Sequence, residues 1–385
     1  MGTRAGVARL PGLSTTVVSD DAGLAALAGE WAELYRAAPR ATPFQSHAWL
    51  SAWSGAYGRP GTLRIVLVRD GDRLVAAAPL QLTRRGPVRV LAPLGGEITD
   101  FTDVLIAEGD DADPAAATAA LARALLAVPG WDVLELPEVR AGGAAELLRS
   151  AWTGPTWSVP ASSCAEMTVT SWDDLLSQLP SKRARDARRV LRRSDELGLT
   201  AAAVPVGEVA EAITELLRLH AAQWAGRGVN PEHLTSRFAQ HLRTALPAMV
   251  ADGAAVLTRY RLDGEVLAVE LLVVGTALTG GYLIGADPVL YQRTDFFSFV
   301  LRHDVELTAR LGVPRYSMLR GRESYKDKWQ PETLVNSQLL LGRPGAPLAR
   351  VAGLRAQLRA RAVVELRARP ELRAKVEKVL AKLGR

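Results

Sequence analysis

The sequence predicts a two-lobed α/β protein, each lobe a mixed, twisted sheet flanked by helices, followed by a basic helical extension. Three observations lead there. Strand-like and helix-like stretches alternate over most of the chain, with antiparallel hairpins among them. One segment recurs: Arg69-Asp70-Gly71-Asp72-Arg73-Leu74-Val75-Ala76 parallels Leu262-Asp263-Gly264-Glu265-Val266-Leu267-Ala268-Val269, 193 residues further on. From Arg343 onward the chain turns basic, with 12 Lys or Arg against 3 Glu.

Length and composition set the frame. A chain of 385 residues suits two domains with cores of their own, and 48% hydrophobic with 23% charged residues is ordinary globular usage. No apolar run approaches the roughly 20 residues that span a bilayer. The start of the chain lacks the apolar core of a secretion signal, so a cytoplasmic setting is the expectation. Cys164 is the single cysteine, which excludes an internal disulfide and offers no metal cluster; it reads as a small buried hydrophobe. The net charge of +6 places +9 after residue 342 and leaves the body near neutral.

Residues 21–38 place Leu24, Leu27, Trp31, Leu34 and Tyr35 on one helical face. A second helix at 47–57 buries Trp49, Leu50 and Trp53, with His47 structural. Strands are predicted at 63–68 and 74–82, joined by Asp70-Gly71, and at 88–94. An acidic loop at 95–103 precedes a short strand at 104–106. Helix 114–128, strand 131–136 and helix 144–152 follow, and 158–170 leads out of this half. Helices at 172–179 and 181–197 open the second half, then a strand at 199–205 and helices at 207–225 and 231–246. Strands at 254–261, 265–274 and 278–285 precede a helix at 295–311 and strands at 314–318 and 334–341. Two basic amphipathic helices, 346–369 and 370–383, close the chain. Each copy of the repeat is thus a hairpin, a third strand, a helix ending in glycine (Gly130, Gly312) and a strand. The lobes fall at 15–170 and 171–345, with the tail at 346–385.

The chemistry concentrates in Leu319-Arg320-Gly321-Arg322-Glu323-Ser324-Tyr325-Lys326-Asp327-Lys328-Trp329, at a strand exit where Gly321 lets the backbone bend. Aromatics among charges there indicate a lined pocket, although a salt-bridged turn is the simpler alternative. The run, together with Phe44-Gln45-Ser46, Trp49-Leu50 and Trp53, resembles the CelD-like acetyltransferase family of the GNAT superfamily, which is related to the FemABX aminoacyl transferases. The likeness extends over most of 40–342.

That resemblance implies tandem GNAT-like acyltransferase folds and acyl transfer to an amine of a small or sugar-like acceptor. Acetyl-CoA or another acyl-CoA would lie where two parallel strands part, its pyrophosphate on the N-terminus of the next helix. The strands are 278–285 and 314–318, and the helix is 295–311. The small residues usual at that turn are missing from Gln292-Arg293-Thr294-Asp295-Phe296-Phe297, which leaves Arg293 as phosphate partner. By the same resemblance Lys326 stabilises the oxyanion, with Arg320, Glu323, Tyr325 and Trp329 around the substrate. Asp100 in the acidic loop is a base candidate, with Asp103 competing for its role. Glu270 is a second base candidate because it breaks the apolar alternation of its strand. Tyr282 is a cleft phenol or simple packing. Lys182, Arg185 and Arg189, on a helix rich in arginine, would contact phosphate, or form a solvated face.

Two rivals stay open. In one, the acyl group comes from an aminoacyl-tRNA, a reading favoured by the missing glycine-rich turn and the basic helices. Alternatively the chain binds anionic partners through its tail without catalysis. The apolar stripes of the tail are expected to dock on the second lobe or to join a homo-oligomer.

Overall fold

The computed structural model describes residues 12–225, 230–321, 323 and 325–368, with side chains to 365 in the last segment. The first half runs β1 (Leu13–Val18), α1 (Asp21–Ala26), α2 (Ala28–Ala37), α3 (His47–Tyr57), β2 (Leu63–Asp70), β3 (Arg73–Arg85), β4 (Val88–Pro93), β5 (Leu105–Ile106), α4 (Pro114–Ala127), β6 (Val133–Val139), α5 (Ala144–Ser150) and β7 (Thr156–Thr168). The second runs α6 (Trp172–Gln178), α7 (Ser181–Glu196), β8 (Thr200–Ala203), α8 (Val209–Gln223), α9 (Ser236–Ala251), β9 (Ala255–Leu262), β10 (Glu265–Val274), β11 (Thr279–Ala286), α10 (Pro288–Arg293), α11 (Phe296–Arg310), β12 (Arg315–Arg320) and β13 (Glu332–Gly342). Helix α12 (Pro347–Ala368) follows.

The strands form one continuous sheet in the order β1-β2-β3-β4-β6-β13-β7-β12-β11-β10-β9-β8, with β5 paired to β3. Read from its two ends, this order repeats: β1 matches β8, β2 matches β9, β3 matches β10, β4 matches β11 and β6 matches β12. The hairpin turns at Asp70-Gly71 and Asp263-Gly264 therefore occupy equivalent places. Gly312 (φ 68°) ends α11 in the left-handed region that glycine tolerates, whereas Gly130 (φ 85°), also left-handed, comes after Val128 has already capped α4 in extended backbone.

The exchange at the centre does not follow from the repeat in sequence. β13 leaves the second half and pairs antiparallel with β6 and with β7, while β7 pairs antiparallel with β12. Each lobe therefore receives its last strand from the other, and three strand pairings cross the division at 170/171.

Apolar faces explain the layering. Trp31, Phe44, Trp49, Phe101 and Trp131 are fully buried in the first lobe. α8 and α9 bury Ile213, Leu216, Phe238 and Leu242 in the same core. Trp49 meets His241 of α9 at 4.4 Å and Tyr282 of β11 at 5.2 Å. The opposite face of the second lobe packs α6, α7 and α11 around Tyr260, Phe296 and Tyr316.

Several boundaries differ from expectation. The helix expected over 295–311 is α11, and a short helix that was not expected, α10, precedes it across Thr294, whose backbone is extended and whose hydroxyl meets Ser194 at 2.8 Å. The helix expected at 231–246 is a 3₁₀ turn, Pro231–Leu234, then α9, because Thr235 caps the new start by accepting from Phe238 N. The segment expected to lead out of the first half is the long central strand β7. Cys164 is buried, and burial pushes its thiol up to about 12, as befits a small hydrophobe. His47 is held by the Leu24 carbonyl at 2.8 Å, a structural role. The helix expected at 370–383 lies outside the described residues.

Candidate active site

β11 and β12 are parallel but pair only at Thr279–Tyr316 and Gly280–Ser317, after which they diverge. Gly280 makes the junction possible: a Cβ there would sit 2.8 Å from the Leu319 side chain. β12 carries one extra residue against β7 between Ser317 and Arg320. The bulge places Leu319 at φ 54°, a conformation that costs a side-chain-bearing residue on the order of 1–3 kcal/mol. Its N–H is held by the Ser317 hydroxyl at 3.1 Å, and Gly321 at φ 129° completes the turn. The outcome is that Arg320 is turned onto the acidic loop of the first lobe.

There its guanidinium Nε meets Asp100 Oδ1 at 2.5 Å and Nη2 donates to the Thr99 carbonyl at 3.2 Å. Glu138 lies 3.5 Å from Nη1 and is itself held by Ser162 at 2.7 Å and Asn336 at 3.0 Å. Burial raises the Asp100 carboxyl, and Arg320 opposes that shift. Tyr282 crosses between the lobes to donate to the Ile98 carbonyl at 2.7 Å, and burial pushes its phenol well up.

Lys326 is 5% exposed, which rules out a simple surface pair. Its ammonium donates to the carbonyls of Met318 (2.9 Å) and Arg320 (3.2 Å) and meets Glu323 at 2.8 Å. It therefore locks the bulge that aims Arg320. The carbonyl bonds are internal, whereas the Glu323 side chain is 47% exposed. Tyr325 stands edge-on to Phe297 in the first turn of α11 at 4.3 Å, and Trp329 packs on Trp172 at 5.4 Å.

Other candidates lie elsewhere. Asp103 accepts from Val104 N (2.8 Å), Ala144 N (2.9 Å) and Ala145 N (2.6 Å), so it caps α5 from inside and does not face a substrate. Burial pushes it up to about 7 against those three donors. Glu270 lies on the α11 side of the sheet, 4% exposed, accepting from Tyr260 at 2.5 Å. It pairs with Asp304, to which Tyr316 donates at 2.8 Å; burial raises both carboxyls, Glu270 to about 7. It does not join Asp100 and Arg320. Arg293 reaches Asp263 in the β9–β10 turn at 3.2 Å, away from the start of α11. Lys182, Arg185 and Arg189 are exposed on α7, Arg189 on Asp186 at 3.1 Å.

The start of α11 is covered. Asp295 makes no capping bond there and meets Lys328 at 3.5 Å, while Arg183 donates to the carbonyls of Asp327 (3.3 Å) and Lys328 (3.1 Å). A cleft of about 200 Å³ remains beside it, lined by Arg183, Asp186, Asp295, Ser298, Lys328 and Trp329. The edge of β11 beyond the junction is also capped. His220 donates through Nδ1 to the Ile284 carbonyl at 2.9 Å, and Gln223 accepts from Ala286 N at 3.1 Å. Burial holds the His220 ring towards its neutral form, and its Nε2 has no hydrogen-bond partner among the described residues. Neither residue was singled out from the sequence. The available signal was His220 on the apolar face formed by Leu216 and Leu219.

Comparison with known proteins adds the following. FemX has a TM-score of 0.57 at 11% identity, over 84% of this chain and 97% of that one. L-PGS from Bacillus licheniformis has a TM-score of 0.52 at 13% identity, over 87% and 96%. A conserved protein of unknown function from Bacteroides thetaiotaomicron has 0.54 at 13%, over 85% and 100%. At such identities these three share the fold. No curated protein matches the sequence significantly. Residues 181–327 match the family model described as an acetyltransferase (GNAT) domain; the second lobe carries the GNAT fold, and the chain is an acyltransferase.

Proposed function

We propose that the chain is an N-acyltransferase, of CelD-like character, that joins an acyl carbonyl to an amine of a small or sugar-like acceptor by direct attack. The observation that carries this reading is the mouth between β11 and β12, with Arg320–Asp100 and Lys326–Glu323 fixed at its end. The amine lone pair attacks the carbonyl carbon, and the oxygen takes up negative charge. Lys326, released by Glu323, donates to that oxyanion; Asp100 receives the amine proton while Arg320 holds it in place. Collapse expels the carrier's thiolate or hydroxyl and leaves the amide. Glu323 and Tyr325 form the rim that meets the acceptor, with Trp329 as the wall of the adjoining cleft.

The match over 181–327 favours an acyl-CoA as donor. Two observations favour a second reading, an aminoacyl-tRNA. The start of α11 carries Asp295 and is covered by Lys328 and Tyr325, and the β11 edge that a pantetheine arm would pair with is capped by His220 and Gln223. The cations of α7 then supply phosphate contacts to either donor. Thermal denaturation with acetyl-CoA, longer acyl-CoAs and total tRNA separates these, because a ligand at 100 times its Kd adds about 2.7 kcal/mol of stability. A shift with acyl-CoA supports the first reading and a shift with tRNA alone the second. No shift with any of them contradicts both and favours the non-catalytic alternative.

A further inference from the structure

Helix α12 is docked mainly by its small residues, with Leu348 half-buried at its start, and presents larger apolar residues to solvent. Ala349, Gly353 and Ala356 face the sheet, in a cluster with Val88, Val90, Val159 and Leu340. Gly353 lies so close to Trp157 that a Cβ would sit 2.2 Å from the ring. On the opposite face Val351, Leu354 and Leu358 are 39%, 57% and 63% exposed, at the spacing that aligns side chains along one helical stripe. Arg350 and Arg361 flank this stripe on one side and Arg355 and Arg359 on the other, all exposed. None of the four is ion-paired among the described residues.

A stripe of leucine and valine between two rows of arginine suits the boundary of a lipid bilayer. The apolar side chains enter the acyl region while the arginines reach up to phosphate. We propose that α12 is a peripheral docking helix for an anionic membrane surface. Charge complementarity selects this occupant. A second copy placed face to face on α12 would bring eight arginines together. Residues 369–385, with six Lys or Arg against two Glu, are likewise of the wrong sign. RNA would satisfy the arginines but leave the leucines in contact with sugar and phosphate. No described helix is long and apolar enough to cross a membrane, so attachment would be to the surface. This inference is independent of the acyl-transfer reading.

The test is flotation of the full chain with phosphatidylcholine vesicles containing or lacking phosphatidylglycerol, at low and at physiological salt. The expected result is binding to the anionic vesicles alone, weakened by salt. Leu354→Ser with Leu358→Ser should reduce the partition coefficient tenfold or more, by about that order for two lost apolar anchors. Arg355→Gln should reduce it about fivefold. Both leucines are more than half exposed, so the melting temperature should stay unchanged. Absence of binding to anionic vesicles overturns the proposal, as does equal binding by the double-serine variant. A doubled mass in light scattering that the same variant abolishes, without vesicle binding, assigns the face to a second copy instead.

Discussion

The two lobes each contain a pair of parallel strands that part after two residues, β4–β6 in the first and β11–β12 in the second. What fills the gap differs. In the first lobe the chain itself pairs with the freed edge of β6, the counterpart of β12: Thr102 N donates to the Glu138 carbonyl at 2.9 Å, and Glu138 N to the Thr102 hydroxyl at 3.2 Å. In the second lobe the freed edge of β11 is met by side chains, those of His220 and Gln223. A side chain withdraws by changing rotamer, whereas backbone pairing requires the loop to unfold. One repeat unit has therefore become a structural closure that presents Asp100, and the other has kept an opening that can be vacated.

The largest effect expected from this contrast is on catalysis. Lys326→Met should lower acyl-transfer turnover about 10²–10³-fold, the scale of losing one oxyanion donor. Unchanged turnover would remove the second-lobe opening from the chemistry. Next is the bond between lobes. Arg320→Met leaves Asp100 without its cation in a buried site and should cost about 3 kcal/mol in urea denaturation, most of it recovered when Asp100→Asn is added. A cost that is purely additive in the double variant would show that the pair does not couple the lobes.

Much of the fold was legible because its signals are local. Asp-Gly turns, alternating strands and helix-ending glycines lie within a few residues of each other, and they revealed the repeat. The exchange of β7 and β13 was not legible, since pairing Glu166 with Glu332 joins residues far apart in sequence and leaves no local mark. The turn at 319–329 stood out because charges and aromatics interrupt a strand exit. Asp103 misled because the N–H donors it accepts from belong to α5, some 40 residues later. His220 and Gln223 escaped notice because they serve carbonyl and amide groups of a strand that only the folded chain brings near.

A third test uses a residue that breaks the symmetry of the repeat. Glu270 occupies the place of Ala77, and its folded-state value of about 7 exceeds the unfolded value near 4.3. The folded protein thus binds this proton more tightly. The resulting stability is fully present below the unfolded value and is lost as pH rises through about 7. Urea midpoints should fall between pH 5 and 8 as the Glu270–Asp304 pair is forced to ionise. Glu270→Gln should flatten that slope; an unchanged slope would rule Glu270 out as its source. The smallest effect is at the β11 edge. Gln223→Ala removes the bonds to Ala286 N and to the Tyr291 hydroxyl and should cost about 1–2 kcal/mol of stability. It should strengthen acetyl-CoA binding a fewfold if CoA pairs there, whereas Thr102→Ala in the first lobe should leave binding as it was.

The claim that the second-lobe opening receives the donor, and the first does not, is tested most directly by amide hydrogen exchange with and without whichever donor raises the melting temperature. Donor binding should slow exchange at Ala286 and across 319–321, with Glu138 and Thr102 unchanged. Protection confined to Glu138 and Thr102, with the β11–β12 opening exchanging as before, would contradict it.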